Sequence, residues 1–303
     1  MPEPELSMPL GLAADAPRKD LPWVQSVVQL GWYLLLLVIC YAPVLTLLIK
    51  QWNEDEDMGH GFFVPIVAAY IAWQNRDKLL NRPLENNYWG LAIMVFAAVQ
   101  LTIATLGAEL FLARTAFIES IIGITLFLGG TYALRVLAFP IMLLFFMVPI
   151  PAIIYNRITL PLQMFASQVA EAVLSLVGIP VLRDGNILEL ASQRLSVVEA
   201  CSGIRSLLSL SFLSLVYAYF FDGKVWMRWA LLIAVVPIAI IANAGRVTLT
   251  GILSEIKPEL AHGFFHTASG WVIFMIALVI IVIVHQLINK IYKATHAEND
   301  QPS

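Results

Sequence analysis

Long apolar stretches, separated by short polar connections, dominate the chain. A helix that crosses the hydrocarbon core of a bilayer needs about 20 mostly apolar residues. About eight stretches approach this length, so the pattern predicts an all-α polytopic membrane protein with about eight transmembrane helices. The predicted spans cover residues 27–49, 61–74, 89–107, 111–132, 136–155, 204–221, 229–249 and 270–288.

The basic residues predict which way the spans point, because Lys and Arg near span ends are retained in the cytoplasm. The connection after the second span contains Arg76 and Lys78, and the one before the seventh contains Lys224 and Arg228. The connection after the first span, residues 53–57, is acidic instead. Both termini are therefore predicted to be cytoplasmic. The resulting division is an N-terminal tail (1–25), one transmembrane domain (26–289) and a C-terminal tail (290–303).

The longest interruption of the apolar pattern is residues 156–203. Its first half, residues 158–177, mixes polar and apolar residues. This mixture favours an amphipathic helix that lies on the outer surface of the membrane, with a ninth crossing as the alternative. Turn-forming residues at 183–186 follow. Residues 187–190 and 195–198 then have the alternation typical of short strands, so a small β-hairpin is predicted between spans 5 and 6.

The composition narrows the class of protein. Of the 303 residues 59% are hydrophobic, and the mean hydropathy is +0.80, so the chain is not an ordinary soluble domain. The net charge of −3 provides no basic surface for nucleic acid. The 2 cysteines cannot form a disulfide framework, and no metal-binding motif occurs, so neither a metal nor another cofactor is predicted.

Cys201 is the first of three chemically capable residues predicted at the outer ends of successive spans. It lies where an extended segment gives way to a long apolar helix. The partial positive charge of a helix N-terminus favours a thiolate, and Arg205, one turn later, adds a cation on the same face. Cys201 could also be a small apolar residue of a membrane helix, which is our interpretation of Cys40.

Arg246 is the second, in an otherwise apolar stretch near the end of span 7. A guanidinium in a membrane helix is unfavourable and usually has a partner. Asn243 lies three residues earlier on the same helical face, which favours a site inside the bundle. The alternative is an anchor whose side chain reaches the lipid headgroups.

His266, just before span 8, is the third. His262 lies four residues earlier, but no further ligand completes a metal site, and metal binding is not predicted. Near a thiol and an arginine at the same depth, the imidazole of His266 becomes a candidate proton carrier, because its ordinary pKa lies near neutrality.

Three segments that contain these residues are similar to the exosortase/archaeosortase family, and most closely to its bacterial exosortase A branch. They are Glu199-Ala200-Cys201-Ser202-Gly203-Ile204, Asn243-Ala244-Gly245-Arg246-Val247, and residues 266–274. His60-Gly61, after the acidic connection, is a weaker match. The resemblance implies a cysteine protease or transpeptidase of the bacterial inner membrane whose active site faces the periplasm.

The resemblance also implies roles and partners. Cys201 would be the nucleophile, Arg246 the oxyanion-stabilising cation and His266 the acid and base. Arg205 is the rival for the cationic role. The implied substrates are exported proteins with a C-terminal Pro-Glu-Pro motif, a transmembrane helix and a basic tail, in sorting linked to exopolysaccharide and biofilm formation. The predicted supporting residues are Glu199, Ser202, Gly203, Arg205 and Asn243.

Two other functions remain open. A transporter or channel would line a polar path with intramembrane residues such as Gln100, Arg114, Glu119 and Arg246, although the sequence contains no inverted repeat. A membrane scaffold without chemistry is the other alternative.

Overall fold

The computed structural model describes residues 22–80, 85–197, 204–257 and 263–299, without the side chains of residues 22–30, 56, 80, 204, 263–267 and 296–299. The fold is almost entirely helical. The α-helices are α1 (Pro22–Cys40), α2 (Ala42–Glu54), α3 (Phe63–Gln74), α4 (Arg76–Leu80), α5 (Trp89–Leu106), α6 (Leu110–Leu143), α7 (Ala152–Leu176), α8 (Ile204–Phe221), α9 (Val225–Ile256) and α10 (Gly263–Asn299). Two 3₁₀ helices, Glu56–Phe62 and Leu144–Met147, follow α2 and α6.

Several helices are long and apolar enough to cross a membrane. In the described part of the chain there are four, and the bent pair α1–α2 could provide a fifth. The helix in α8, Arg205–Phe221, is apolar but shorter. The chain is therefore an all-α multi-pass membrane protein, while the number of eight spans stays a prediction. The four long helices are Trp89–Leu106, Leu110–Met147, Val225–Ile256 and Ala268–Thr295.

The first predicted span, residues 27–49, is not one straight helix. Helices α1 and α2 meet at Tyr41 with an angle of 73°. Pro43 lies in the first turn of α2, and it has no N–H to continue the hydrogen bonds of α1. After α2, the side chain of Asp55 accepts a hydrogen bond from the backbone N–H of Asp57 and starts the 3₁₀ helix.

Helix α6 contains a chain reversal at Gly130. Arg114, near its start, lines a cavity beside α2, and the carbonyl of Met147 accepts a hydrogen bond from Trp52 of α2 at 2.9 Å. A straight helix would separate these two residues by about 50 Å. Gly130 instead has φ 65° and ψ −167°, and a Cβ there would lie 2.6 Å from the carbonyl oxygen of Glu85. Only glycine fits this turn.

This reversal agrees with the predicted break between the fourth and fifth spans, residues 111–132 and 136–155. The predicted end of the fifth span is wrong, because the helical conformation stops at Met147. Pro149 and Pro151 follow, and proline cannot donate the backbone hydrogen bonds that would continue a helix. Helix α7 starts afresh at Ala152.

Helix α7 covers the region predicted as an amphipathic helix, but it begins six residues earlier and packs along α9, with Leu174 against Gly251. The predicted hairpin is part of a three-stranded antiparallel sheet, β1 (Val181–Asp184), β2 (Ile187–Leu190) and β3 (Arg194–Ser196). Residues 183 and 184, predicted as turn, belong to β1. Gly185, with φ 63°, makes the turn, and its carbonyl accepts a hydrogen bond from Ser167 of α7.

Helices α8, α9 and α10 pack on one another, and a polar cluster joins them at one end. We call it the Asp222 cluster, and it consists of Tyr217, Asp222, Lys224, His285 and Asn289. Asp222 follows α8, and its carboxylate accepts hydrogen bonds from the backbone of Lys224 at 2.8 Å and from Asn289 of α10 at 2.9 Å. His285 lies 3.1 Å from the same carboxylate and 3.0 Å from the hydroxyl of Tyr217.

The Asp222 cluster predicts a pH dependence of stability. Burial opposes ionisation of Asp222, but the hydrogen bonds from Lys224, Asn289 and His285 and the charge of Lys224 outweigh it and bring the pKa from 3.8 to about 2. Because the pKa is lowered in the folded state, the carboxylate stabilises the fold above about pH 4, and this stabilisation is lost as the pH falls towards 2. We expect this loss in the thermal unfolding midpoint of the detergent-solubilised protein.

The variant Asp222→Asn should be less stable at neutral pH by about 1–3 kcal/mol, because it removes a hydrogen-bonded buried charge. It should also lose the decline between pH 4 and pH 2. Asp77→Asn is the control, since the side chain of Asp77 is 72% exposed. Equal pH profiles for the original protein and Asp222→Asn would contradict the prediction.

Candidate functional site

Arg246 lies between α9 and α10. A Cβ built on Gly270 of α10 would lie 3.0 Å from both Cζ and one terminal nitrogen of the Arg246 guanidinium, so this group rests against the glycine backbone. Gly270 follows His266 by four residues, which is about one helical turn. The arginine and the backbone that carries the histidine are therefore neighbours, and a side chain at position 270 would displace the guanidinium.

Three helices place Arg205, Arg246 and Gly270 at least about 20 Å from the Asp222 cluster. A helix rises about 1.5 Å per residue, so Arg205 lies about 24 Å above the end of α8, and Arg246 about 32 Å above the start of α9. Gly270 lies about 22 Å above His285 of α10. The candidate site is therefore at the end of the bundle remote from Asp222.

Arg205 is held at this end by an acidic residue from the other half of the chain. Its Nε donates a hydrogen bond to Oδ1 of Asp57 at 2.9 Å, and the hydroxyl of Tyr155 donates to Oδ2 at 2.6 Å. The side chain of Asp57 is 18% exposed, so the ion pair is partly shielded from water. Both carboxylate oxygens are engaged, which fixes the direction of the Arg205 side chain at the start of α8.

His60 joins the 3₁₀ helix to two other elements. Its Nε2 lies 3.1 Å from the carbonyl oxygen of Phe146, and its Nδ1 lies 3.3 Å from the hydroxyl of Ser209 on α8. A carbonyl only accepts, so Nε2 donates to Phe146. Burial lowers the pKa of His60, which favours the neutral form. His60 therefore positions α8 and has no ring nitrogen free for acid–base chemistry in this arrangement.

The predicted nucleophile and its neighbours Glu199, Ser202 and Gly203 lie outside the described residues, as does His262. The backbone of His266 is in α10, but its side chain is not described. Asn243 is described, and it is buried in α9. In the described part of the chain, no three His, Cys, Asp or Glu side chains are grouped as metal ligands.

The sheet leads the chain towards Arg246. Leu188, Leu195 and Val197 are buried against Ala244 and Val247, which are close neighbours of Arg246 in α9. The backbone N–H of Val197 donates to the carbonyl of Asn186 at 3.0 Å and ends the described sheet region. The chain therefore leaves the sheet beside the Arg246 segment, four residues before Cys201.

One protein family model matches most of this chain. The family model described as transmembrane exosortase matches residues 52–283, which is more than half of the chain. The chain belongs to the exosortase family. No curated protein and no solved structure matched. The match identifies the family of this membrane protein, and the exosortase A branch stays a prediction.

The matched region contains every candidate residue of this exosortase, including the Asp57–Arg205 pair, which sequence reasoning missed. The acidic connection predicts the orientation of the spans, but no local pattern links Asp57 to a helix 148 residues later. Tyr155 was missed for the same reason. The one available signal is that the acidic connection, residues 53–57, and Arg205 are predicted on the same side of the membrane.

The intramembrane residues predicted for a transport path do not form one group. Gln100 of α5 donates to Thr115 at 2.9 Å and lies 3.4 Å from Glu119, both on α6. Arg246 instead lies against Gly270 of α10. The described contacts thus divide these residues between two sets of helices, and no observation favours the transporter.

Removing the negative charge of Asp57 from the Asp57–Arg205 pair should cause a partial loss of activity. We expect Asp57→Asn to lower substrate processing by about tenfold in an exosortase assay, because Arg205 would lose a charged hydrogen-bond partner worth about 1.5–3 kcal/mol. Glu54→Gln is the control, since it removes a nearby carboxylate that is 62% exposed and pairs with Lys50, not with Arg205. Equal loss in both variants would contradict a specific role for Asp57.

Proposed function

We propose that this exosortase is a cysteine protease or transpeptidase of the bacterial inner membrane, with its active site at the periplasmic face. Cys201 is the nucleophile, Arg246 stabilises the oxyanion, and His266 transfers protons. The substrates are exported proteins with a C-terminal Pro-Glu-Pro motif, a transmembrane helix and a basic tail. The observation that carries the proposal is the contact of Arg246 with Gly270, one turn from His266.

Chain connectivity supports the place of the nucleophile. Cys201 is four residues after Val197 and four before Arg205. An extended chain advances at most about 3.5 Å per residue, so the Cα of Cys201 lies within about 14 Å of each. Val197 packs beside the Arg246 segment, and Arg205 is fixed by Asp57 at the same end of the bundle. The thiol, the guanidinium and the imidazole can therefore share one site.

The first half-reaction transfers an acyl group to sulfur. The Cys201 thiolate attacks the scissile carbonyl carbon, a C–S bond forms, and the carbonyl electron pair moves onto oxygen. The Arg246 guanidinium faces this oxygen and stabilises its negative charge. The tetrahedral intermediate then breaks its C–N bond, His266 gives a proton to the departing amine, and a thioester remains on Cys201.

The second half-reaction releases the thioester. Neutral His266 takes a proton from the incoming nucleophile, which attacks the thioester carbon, and the C–S bond breaks to restore the thiolate. Water yields a free carboxylate, and an amine or alcohol yields a transferred product. Arg246 serves both tetrahedral intermediates, because the oxyanion forms at the same carbonyl each time. The link to exopolysaccharide and biofilm formation follows from the family resemblance alone.

The test is co-expression in a bacterial host with a substrate carrying the three-part tail. We expect a shortened substrate only in cells that contain the exosortase, with the basic tail removed. Mass spectrometry of its new C-terminus separates hydrolysis, which leaves a free carboxylate, from transfer, which leaves an adduct. An uncleaved substrate, with both proteins present in the inner membrane, would refute the proposed reaction.

The Arg246–Gly270 contact makes a separate prediction. Gly270→Val should lower processing by about 10- to 100-fold, because the new side chain occupies the space of the guanidinium. Gly245→Val is the matched control, since a Cβ at Gly245 has nothing within 4 Å. The ratio of processed to unprocessed substrate, at equal amounts of membrane-inserted enzyme, measures the effect. Similar losses in both variants would show that packing at Gly270 is not specific.

A further inference from the structure

Arg114 of α6 is a buried cation whose charge the described protein leaves poorly compensated. The residue is 4% exposed, and its Nε has no hydrogen-bond partner among the described residues. Arg205, by contrast, pairs with Asp57, and Arg228, whose Nε also has no hydrogen-bond partner among the described residues, lies over the rings of Phe139 and Tyr219. A buried charge without a partner is unfavourable, so an anion from outside the chain would stabilise this site.

The local helix compensates the charge of Arg114 only in part, through the charge of Glu109. The residue is the fifth of α6, close to the positive end of the helix dipole, where a cation is disfavoured. Glu109 is engaged at this helix end, where its carboxylate accepts hydrogen bonds from the backbone N–H groups of Phe111 and Leu112. The position therefore increases the demand for an external anion.

Arg114 lines an open cavity between α2 and α6, with a volume of about 590 Å³. Lys50 of α2 is a second cation at this cavity, and Glu54 and Asp55 are anions. The formal charge of the lining is zero, with charges of both signs. Lys50 and Glu54 are 3.8 Å apart and more than 60% exposed, so their pairing is weak and can open for a ligand. Such a lining suits a ligand that carries both charges.

The cavity lies at the end of a candidate membrane span. The first arm of α6, from Leu110 to the reversal at Gly130, begins at this cavity, and Leu47 and Leu110, which also line it, are 47% and 41% exposed. Charged and exposed apolar side chains thus meet on one rim. This combination is typical of the depth at which lipid headgroups lie, where an acyl chain can follow the apolar residues.

From these observations we propose that the cavity binds the headgroup of a zwitterionic phospholipid. Arg114 and Lys50 hold the phosphate, and Glu54 and Asp55 hold the ammonium group. Arginine presents several N–H donors to phosphate oxygens, and the buried guanidinium receives its missing charge partner. The proposal does not depend on the enzymatic reaction, because no residue of the cavity belongs to the proposed catalytic site.

The test uses the full chain, purified in detergent and stripped of lipid, with binding measured by native mass spectrometry. The probes are phosphatidylethanolamine, phosphatidylglycerol, soluble glycerophosphoethanolamine and inorganic phosphate. We expect phosphatidylethanolamine to bind most tightly. Arg114→Met should weaken it by about tenfold or more, since a charged hydrogen-bond partner is lost. Arg157→Met is the control, because Arg157 is exposed on α7.

A second variant keeps the test decisive if Arg114→Met does not fold. Glu54→Gln alters an exposed residue and should reduce the preference for phosphatidylethanolamine over phosphatidylglycerol, because one of the two partners of the ammonium group is lost. Equal binding by the original protein and both variants would overturn the site. Binding of inorganic phosphate or of the soluble headgroup as tight as that of intact lipid would overturn the assignment to a membrane lipid. An original protein that prefers phosphatidylglycerol would overturn the role of the two acidic residues.

Discussion

Cys201→Ala should abolish cleavage of a co-expressed substrate with the three-part tail. The methyl group of alanine cannot attack a carbonyl, and no thioester can form. We expect a reduction in processing of about 10³-fold or more, which places the product below detection by immunoblotting. The amount of enzyme in the membrane should not change, because cysteine and alanine are both small and apolar.

Cys40→Ala is the matched control, since Cys40 is the other cysteine of the chain and lies exposed on α1. It should process substrate at the original rate and should keep all sensitivity to thiol-alkylating reagents. The Cys201→Ala protein should show no activity for such reagents to inhibit. Normal processing by Cys201→Ala, at equal enzyme levels, would remove the cysteine mechanism altogether.

Arg246→Gln should cause the second largest loss, about 10²- to 10³-fold. Glutamine keeps hydrogen-bonding groups but loses the fixed positive charge, and removal of one oxyanion donor costs this much in other acyl-transfer enzymes. Arg246→Lys should retain more activity than Arg246→Gln, because it keeps a cation with a different geometry. The activity of the original protein and of both variants is measured as the initial rate of product formation in membranes.

Arg157→Gln makes the same charge change at an exposed position of α7 and should remain within about threefold of the original rate. Because Arg246 could instead act as a structural partner in the bundle, the thermal unfolding midpoint of each variant is measured as well. A variant Arg246→Gln with normal stability and normal activity would exclude the oxyanion role. Activity that depends on Arg205 and not on Arg246 would favour the rival assignment.

The surroundings of Arg205 and Gly270 include contacts that local spacing predicts and contacts that depend on tertiary packing. Arg205 is four residues after Cys201, and His266 is four residues before Gly270. Residues at this spacing are neighbours on a helix, so the sequence alone predicts that each pair is close together. The partner of Arg205 is not readable in this way, because it comes from a segment 148 residues earlier. Many acidic residues satisfy the same charge rule, and only packing selects one of them.

Some helix boundaries could be predicted from local sequence signals, and others could not. Apolar length predicted most of the helical segments, and Pro149 and Pro151 are local signals that explain where the fifth span ends. The reversal at Gly130 also falls close to the predicted break. The 73° bend at Tyr41 was missed because a proline near the middle of an apolar run is compatible with a continuous membrane helix.

The sequence by itself determined the class of protein, a multi-pass helical membrane protein, and the three segments that led to the exosortase family. Hydrophobic length and short motifs determine these properties, and both are local along the chain. Only the tertiary structure decided that Arg246 rests against Gly270, that Asp57 holds Arg205, and that Arg114 borders a cavity. These depend on how helices distant in sequence pack together, where steric fit and the pairing of buried charges select one arrangement.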